Sequence, residues 1–189
     1  MQYPKIKNWI GLKAGLNYSS LIIDDRIPAE TNSKIGFHFG WFLSFVWSEN
    51  LRFKPEFLFS TQNTEIEISN AIDIEEQDPN DPFLSNSFKA DIKESLILVP
   101  IMADYYLNEI FDLEFGPQFG YVINQEISDN KDDFSFGREN YENFEVALNI
   151  GAGYNFAGNY RIGLRYNYGI TERDDNKSSV FQFGLSYQL

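Results

Sequence analysis

Residues 35–47 read IGFHFGWFLSFVW. Every second position is bulky and apolar (Ile35, Phe37, Phe39, Trp41, Leu43, Phe45, Trp47), and between them stand Gly36, His38, Gly40, Phe42, Ser44 and Val46. A period of two marks a β-strand with two unlike faces. Working outward from this stretch, the same alternation recurs at residues 9–19, 51–62, 94–106, 111–123, 143–156, 160–171 and 179–189. Together with 35–47 that makes eight expected strands, and no segment keeps helical spacing.

The connections alternate in length. Three-residue turns follow residues 47, 107 and 156, while long polar segments fill roughly 20–34, 63–93, 125–142 and 172–178. Short turns at one end and long loops at the other describe an up-and-down antiparallel barrel, a single domain over residues 1–189. An even strand count puts both termini at the short-turn end. The strands exceed the usual length of about 5–6 residues. They match the roughly 9–11 residues needed to cross a bilayer at a tilt.

Which face points outward decides between two barrels. A soluble lipocalin-like barrel, carrying a small apolar ligand, would turn its bulky apolar set inward; a transmembrane barrel turns that set toward lipid. Here most of the 13 glycines fall in the other set. Small residues belong where space is scarce, inside a narrow eight-stranded barrel, and glycine weakens an exposed strand for no gain. The glycine-rich set also holds Lys13, Arg52, Lys54, Arg161 and Arg165 against Glu56, Asp104, Asp112, Glu114 and Glu145, with His38 among them. Five charges face five, the balance a buried, structural network requires. Aromatics gather at the outward strand ends. Trp47, Tyr105, Phe156, Tyr160 and Tyr187 lie near the short turns, and Tyr18, Phe59, Tyr121, Phe144 and Tyr168 near the long loops. Two such girdles anchor a membrane barrel at its interfaces. The expectation is an all-β transmembrane barrel with a plugged lumen, short periplasmic turns and long extracellular loops.

ESLILVPIMADYYL followed by FDLEFGPQFGYVIN resembles the paired central strands of the PorT-like outer-membrane β-barrel domain of Bacteroidetes, with Pro100 before the short turn and Gly116-Pro117 after it. GLKAGLNYSS, LRFKPEFLFS and YRIGLRYNYGITE resemble that family's first, third and seventh strands. The closing FQFGLSYQL resembles the C-terminal signal by which outer-membrane barrels are recognised for insertion, with Leu189 where Phe is commoner. The resemblance implies an outer-membrane barrel and no particular activity.

The chain has 28 acidic and 15 basic residues, a net charge of −13, and no cysteine. That balance argues against a nucleic-acid partner, and the missing cysteines remove disulfides, thiolate nucleophiles and sulfur-ligated metals. The four long segments hold 20 acidic and eight basic residues, so the net charge belongs to the loops. EEQDPNDP (75–82), DNKDD (129–133) and ERDDN (172–176) lack the regular spacing of a calcium loop. They would bind divalent cations only weakly. His38, the sole histidine, has lumenal Ser44, Ser60 and Ser186 as candidate nucleophiles, but no spacing singles one out. No catalytic site, cofactor or metal is expected; an outer-membrane enzyme acting on lipid or peptide is the alternative. The second long segment contains TEIEIS (64–69), an alternating run that would extend the third strand, and residues 87–95 could return beside it. Such a ribbon would offer an edge to a partner strand. The expected function is a structural, adhesion or partner-binding role, with docking around residues 63–93 and 125–142. The opening MQYPKIKN lacks the apolar core of a secretory signal, so the chain is expected to start after a removed one.

Overall fold

The computed structural model describes residues 8–23, 29–69, 87–129, 143–171, 173 and 176–189. Eight strands follow in chain order: β1 (Trp9–Ile23), β2 (Ala29–Val46), β3 (Leu51–Ser69), β4 (Ser87–Tyr106), β5 (Phe111–Asp129), β6 (Phe144–Phe156), β7 (Tyr160–Gly169) and β8 (Asn176–Gln188). Each pairs antiparallel with its neighbour, and β1 closes on β8 through pairs such as Leu12↔Tyr187, giving a closed barrel. Local chemistry fixes the short turns. Trp47 N and Ser48 N donate to Leu51 O, and Asn108 Oδ1 accepts from the Ile110 and Phe111 amides. Between β6 and β7 the chain turns through positive φ at Ala157 and Gly158 (+79°), a conformation glycine adopts freely.

The interior is polar and the outside apolar. Lys13, Lys54, Glu56, Glu114 and Arg165 are buried, while Leu12, Phe39, Trp41, Phe115, Ile150 and Phe183 are exposed. This inverts what a lipocalin-like carrier needs, so that alternative falls. The lumen is tight enough to require glycine: a Cβ on Gly15 would stand 2.7 Å from both Gly184 Cα and His38 Cε1. The Arg161 guanidinium likewise packs where a side chain on Gly153 would stand.

Strand ends depart from the sequence expectation. Segments 20–34, 63–93, 125–142 and 172–178 are not simply loops, because strands occupy 20–23, 29–34, 63–69, 87–93, 125–129 and 176–178. TEIEIS does continue β3, and β4 returns beside it from Thr61↔Ser95 to Ser69↔Ser87. β2 joins from Ala29↔Ile68 to Ser33↔Thr64, and β5 from Glu94↔Gln125 to Ala90↔Asp129. Four strands therefore rise together as a wall, with roughly 30 Å of β3 beyond Phe59 at the usual rise per residue. Among the described residues, β6 and β7 do not rise with them. β6 begins at Phe144, opposite Tyr121, and β7 is only 10 residues long. The acidic stretch 75–82 lies outside the described residues, as do most of 129–133 and most of 172–176.

Candidate functional site

Alternation sends Arg52, Lys54 and Glu56 inward from β3, Asp112 and Glu114 from β5, and Arg161 and Arg165 from β7, so strands far apart in sequence meet across the lumen. Arg165 joins the two central carboxylates: Nη2 and Nη1 donate to Glu56 (2.8 and 3.0 Å) and Nε donates to Glu114 (2.9 Å). Lys13 Nζ donates to Glu56 (3.1 Å), and Lys54 Nζ lies 3.1 Å from Glu114 and 2.6 Å from Asp104. Arg161 forks onto Asp112, with Nη2 at 2.6 Å, and reaches Glu114 at 3.1 Å. Arg52 stands apart, its guanidinium 3.7 Å from the centre of the Trp9 ring and 5.1 Å from that of Tyr106. Bidentate, charge-assisted bonds of this kind compensate desolvated charge.

Glu145 is buried as expected but belongs to a second cluster near the long-loop end. Arg173 Nη1 and Nη2 donate to Glu94 (3.2 and 2.9 Å), Nη2 also lies 3.1 Å from Glu145, and Gln125 Nε2 donates to Glu94. Sequence reasoning missed Glu94 and Arg173. Arg173 sits in a segment read as solvated loop, and Glu94 at a predicted strand end where alternation alone gives no direction. The correction adds one charge of each sign, so six buried bases face six buried acids among the described residues. Sequence also gave no role to an apolar layer inside the barrel, Leu58, Leu96, Leu98 and Val122, packed on β3, β4 and β5.

His38 Nδ1 lies 2.8 Å from Asn17 Oδ1. Asn17 uses its amide hydrogens on Ser60 Oγ, Phe37 O and Thr61 O, so its oxygen accepts and the proton of a neutral His38 sits on Nδ1. Among the described residues no serine hydroxyl bonds to His38. The three carboxylates that come within 4.8 Å of one another, Asp104, Asp112 and Glu114, have Lys54, Arg161 and Arg165 as their counter-ions. Ammonium and guanidinium groups already fill the role a metal would take there.

On the outside, Tyr18, Trp47, Tyr105, Tyr121, Phe144, Tyr160, Tyr168 and Tyr187 are exposed, and Phe59 and Phe156 are half-buried against other aromatics. Tyr160 packs against Tyr187 in a tilted pair, with ring centroids 4.9 Å apart. Above the upper aromatics, polarity reverses. On the wall's outer face Lys34 Nζ reaches Asp91 and, at 3.0 Å, Glu65, while Lys89 Nζ pairs with Glu67 at 2.9 Å. Hydrogen bonds to Asp91 and Glu65 raise the Lys34 ammonium above its ordinary range, and Lys34, followed by Asn32, holds the Glu65 carboxyl below its own. Glu67 likewise raises Lys89. The residues alternating with these, Ile66, Ala90, Ile92 and Ile127, face the other way, over the mouth.

Comparison with known structures agrees with this geometry. Ail of Yersinia pestis, solved with the heparin analogue sucrose octasulfate, is 17% identical, with 97% of this chain and 99% of that chain covered at a TM-score of 0.53. OprG of Pseudomonas aeruginosa is 12% identical, covering 100% of this chain and 99% of that one at 0.54. Neisserial surface protein A is 14% identical, covering 95% and 97% at 0.51. At these identities the likeness speaks for the fold. No curated protein sequence matches the chain significantly. The outer membrane protein beta-barrel domain, however, matches over residues 2–175. Nearly the whole barrel is inside that match, and the chain belongs to the outer membrane protein beta-barrel domain family, a protein of the bacterial outer membrane.

Proposed function

We propose that the protein is a non-enzymatic binding element of the cell surface that docks a protein partner on its four-stranded wall. The observation that carries this reading is the continuation of β2–β5 beyond the apolar band. A lipid-facing anchor needs no such wall, and a sheet ending in solvent presents edges. Above Tyr121↔Phe144, β5 is paired with β4 on one side and, among the described residues, has no neighbouring strand on the other. Among the described residues, the backbone groups of 124–129 that point away from β4 have no strand partner, which is the arrangement strand addition uses. Excess acid in the long segments favours a basic partner surface and disfavours sulfated polyanions of the kind bound by Ail.

The termini lie in the periplasm and the wall outside the cell, the orientation that the short turns and long connections support. The lumen network acts as a structural plug without turnover or a large pore, because packed side chains fill an eight-stranded barrel. Pro100 and Gly116-Pro117 support a place among the PorT-like barrels of Bacteroidetes.

The test replaces residues 64–93 with a tight turn and compares proximity labelling and pull-downs from native outer membrane. Loss of specific partners with the barrel still folded is expected. An unchanged partner set would end the docking reading.

A further inference from the structure

A recess of about 440 Å³ opens on the outer wall where the apolar band stops. Two irregularities make it. β2 shifts register against β3 between Ser33 and His38, and β4 shifts against β5 between Ser95 and Leu96. Side chains replace the lost ladder bonds on β2: Asn63 Nδ2 donates to Ile35 O at 2.7 Å, and Phe37 N donates to Thr61 Oγ1 at 2.9 Å. The lower half is lined by exposed Leu16, Ile35 and Phe37, and the upper rim by exposed Lys93, Asn124 and Glu126. Lys93 and Glu126 are direct cross-strand partners, yet among the described residues Lys93 forms no ion pair. Lys93 is exposed and lines the recess.

We propose that this recess holds a phosphorylated glycolipid of the outer leaflet, with acyl chains along Leu16, Ile35 and Phe37, a phosphate on Lys93, and sugar hydroxyls on Asn124 and Glu126. The split between apolar floor and polar rim falls at the membrane boundary, where an amphiphile changes character at the same height. A single ammonium is a good point contact for phosphate. The acidic surroundings repel free anions, so a phosphate tethered by acyl chains, at high effective concentration beside the wall, is favoured over a soluble one. The site rests on the outward orientation proposed above.

The experiment uses the full chain, delipidated in detergent micelles, with bound lipid counted by native mass spectrometry. The probes are a diphosphorylated acylated diglucosamine, its dephosphorylated form, phosphatidylethanolamine and inorganic phosphate. Expected is selective retention of the phosphorylated glycolipid, weakened about tenfold in Lys93→Gln, the worth of one charged hydrogen bond. Lys89→Gln, the same charge change higher on β4, should retain it as the unaltered chain does. Heat-modifiable gel mobility establishes that each variant is folded. Equal retention by Lys93→Gln, equal loss in Lys89→Gln, equal binding of the dephosphorylated lipid, or full competition by inorganic phosphate would each overturn the site. Orientation is read separately, by labelling Asp81→Cys on intact cells, so its failure is distinct from failure of the site.

Discussion

The lower and upper halves of β3 share one uninterrupted backbone and have opposite polarity. From Leu51 to Phe59 the outward residues are Leu51, Phe53, Pro55, Phe57 and Phe59, and the inward ones include Arg52, Lys54 and Glu56. From Thr61 onward the outward residues are Thr61, Asn63, Glu65 and Glu67, and Thr64 and Ile66 take the other face. Strand geometry is the same in both halves, so the change reports the solvent. Where lipid surrounds the strand, polar groups must turn inward and be paired; where water surrounds it, charges return outside. The reversal between Phe59 and Asn63 marks the upper membrane boundary.

The comparison breaks most visibly through the lumen. Arg165→Met leaves Glu56 and Glu114 short of a shared bidentate partner and should cost about 3–5 kcal/mol. Urea unfolding in detergent micelles, followed by tryptophan fluorescence, measures it. A cost below 1 kcal/mol would mean that the network contributes little to holding the band together.

The boundary itself is sharpened by one substitution at two heights on the outer face of β4. Ile101→Arg, in mid-band, should cost about 2–4 kcal/mol, and Ser95→Arg, above the band, about 0–1 kcal/mol. Equal costs by the same unfolding measurement would remove the boundary from between them. Gly15→Val tests the tight lumen opposite Gly184 and His38, with an expected loss of about 1–3 kcal/mol from overpacking. A midpoint matching the unaltered protein would show that the lumen has room to spare.

The smallest effect concerns the outer face of the wall. Glu65 is held below its ordinary value by Lys34, so its contribution is complete above the ordinary carboxylate range and is lost as pH falls through the lowered value. Lys34 is raised, so its contribution is complete below its ordinary value and is lost as pH rises through the raised one. Protection of wall amides 61–69 and 87–95, corrected for the intrinsic exchange rate at each pH, should be flat through neutral pH and decline at acid pH, with the band amides unchanged. Parallel decline in both regions would mean that wall and band open as one unit.

The eight predicted segments follow the lipid-facing band more closely than the strands themselves. Residues 35–47 and 111–123 stop near the polarity reversal, whereas β2 begins at Ala29 and β5 runs to Asp129; along β3 the alternation of TEIEIS already showed the strand going on. A reader following one apolar face loses the signal when the faces exchange roles, although the strand goes on. Glu94 and Arg173 were missed for a related reason: charged residues near a loop look solvated until a partner from another strand closes over them. The inward direction of Lys13, His38, Arg52, Lys54, Glu56, Asp104, Asp112, Glu114, Arg161 and Arg165, by contrast, was legible because parity along a strand is local.

What the sequence determined by itself was the number of strands, their antiparallel order and the face each residue takes inside the membrane, since all three follow from a period of two and the lengths of the connections. Only the tertiary structure decided which opposite charges meet, as Arg165 does with Glu56 across 109 residues of chain. It also decided that β2 and β5 rise beside the β3–β4 ribbon, and where the outer face bends into a recess. These depend on cross-strand register and bulges, which neighbouring strands impose on one another and no single segment encodes.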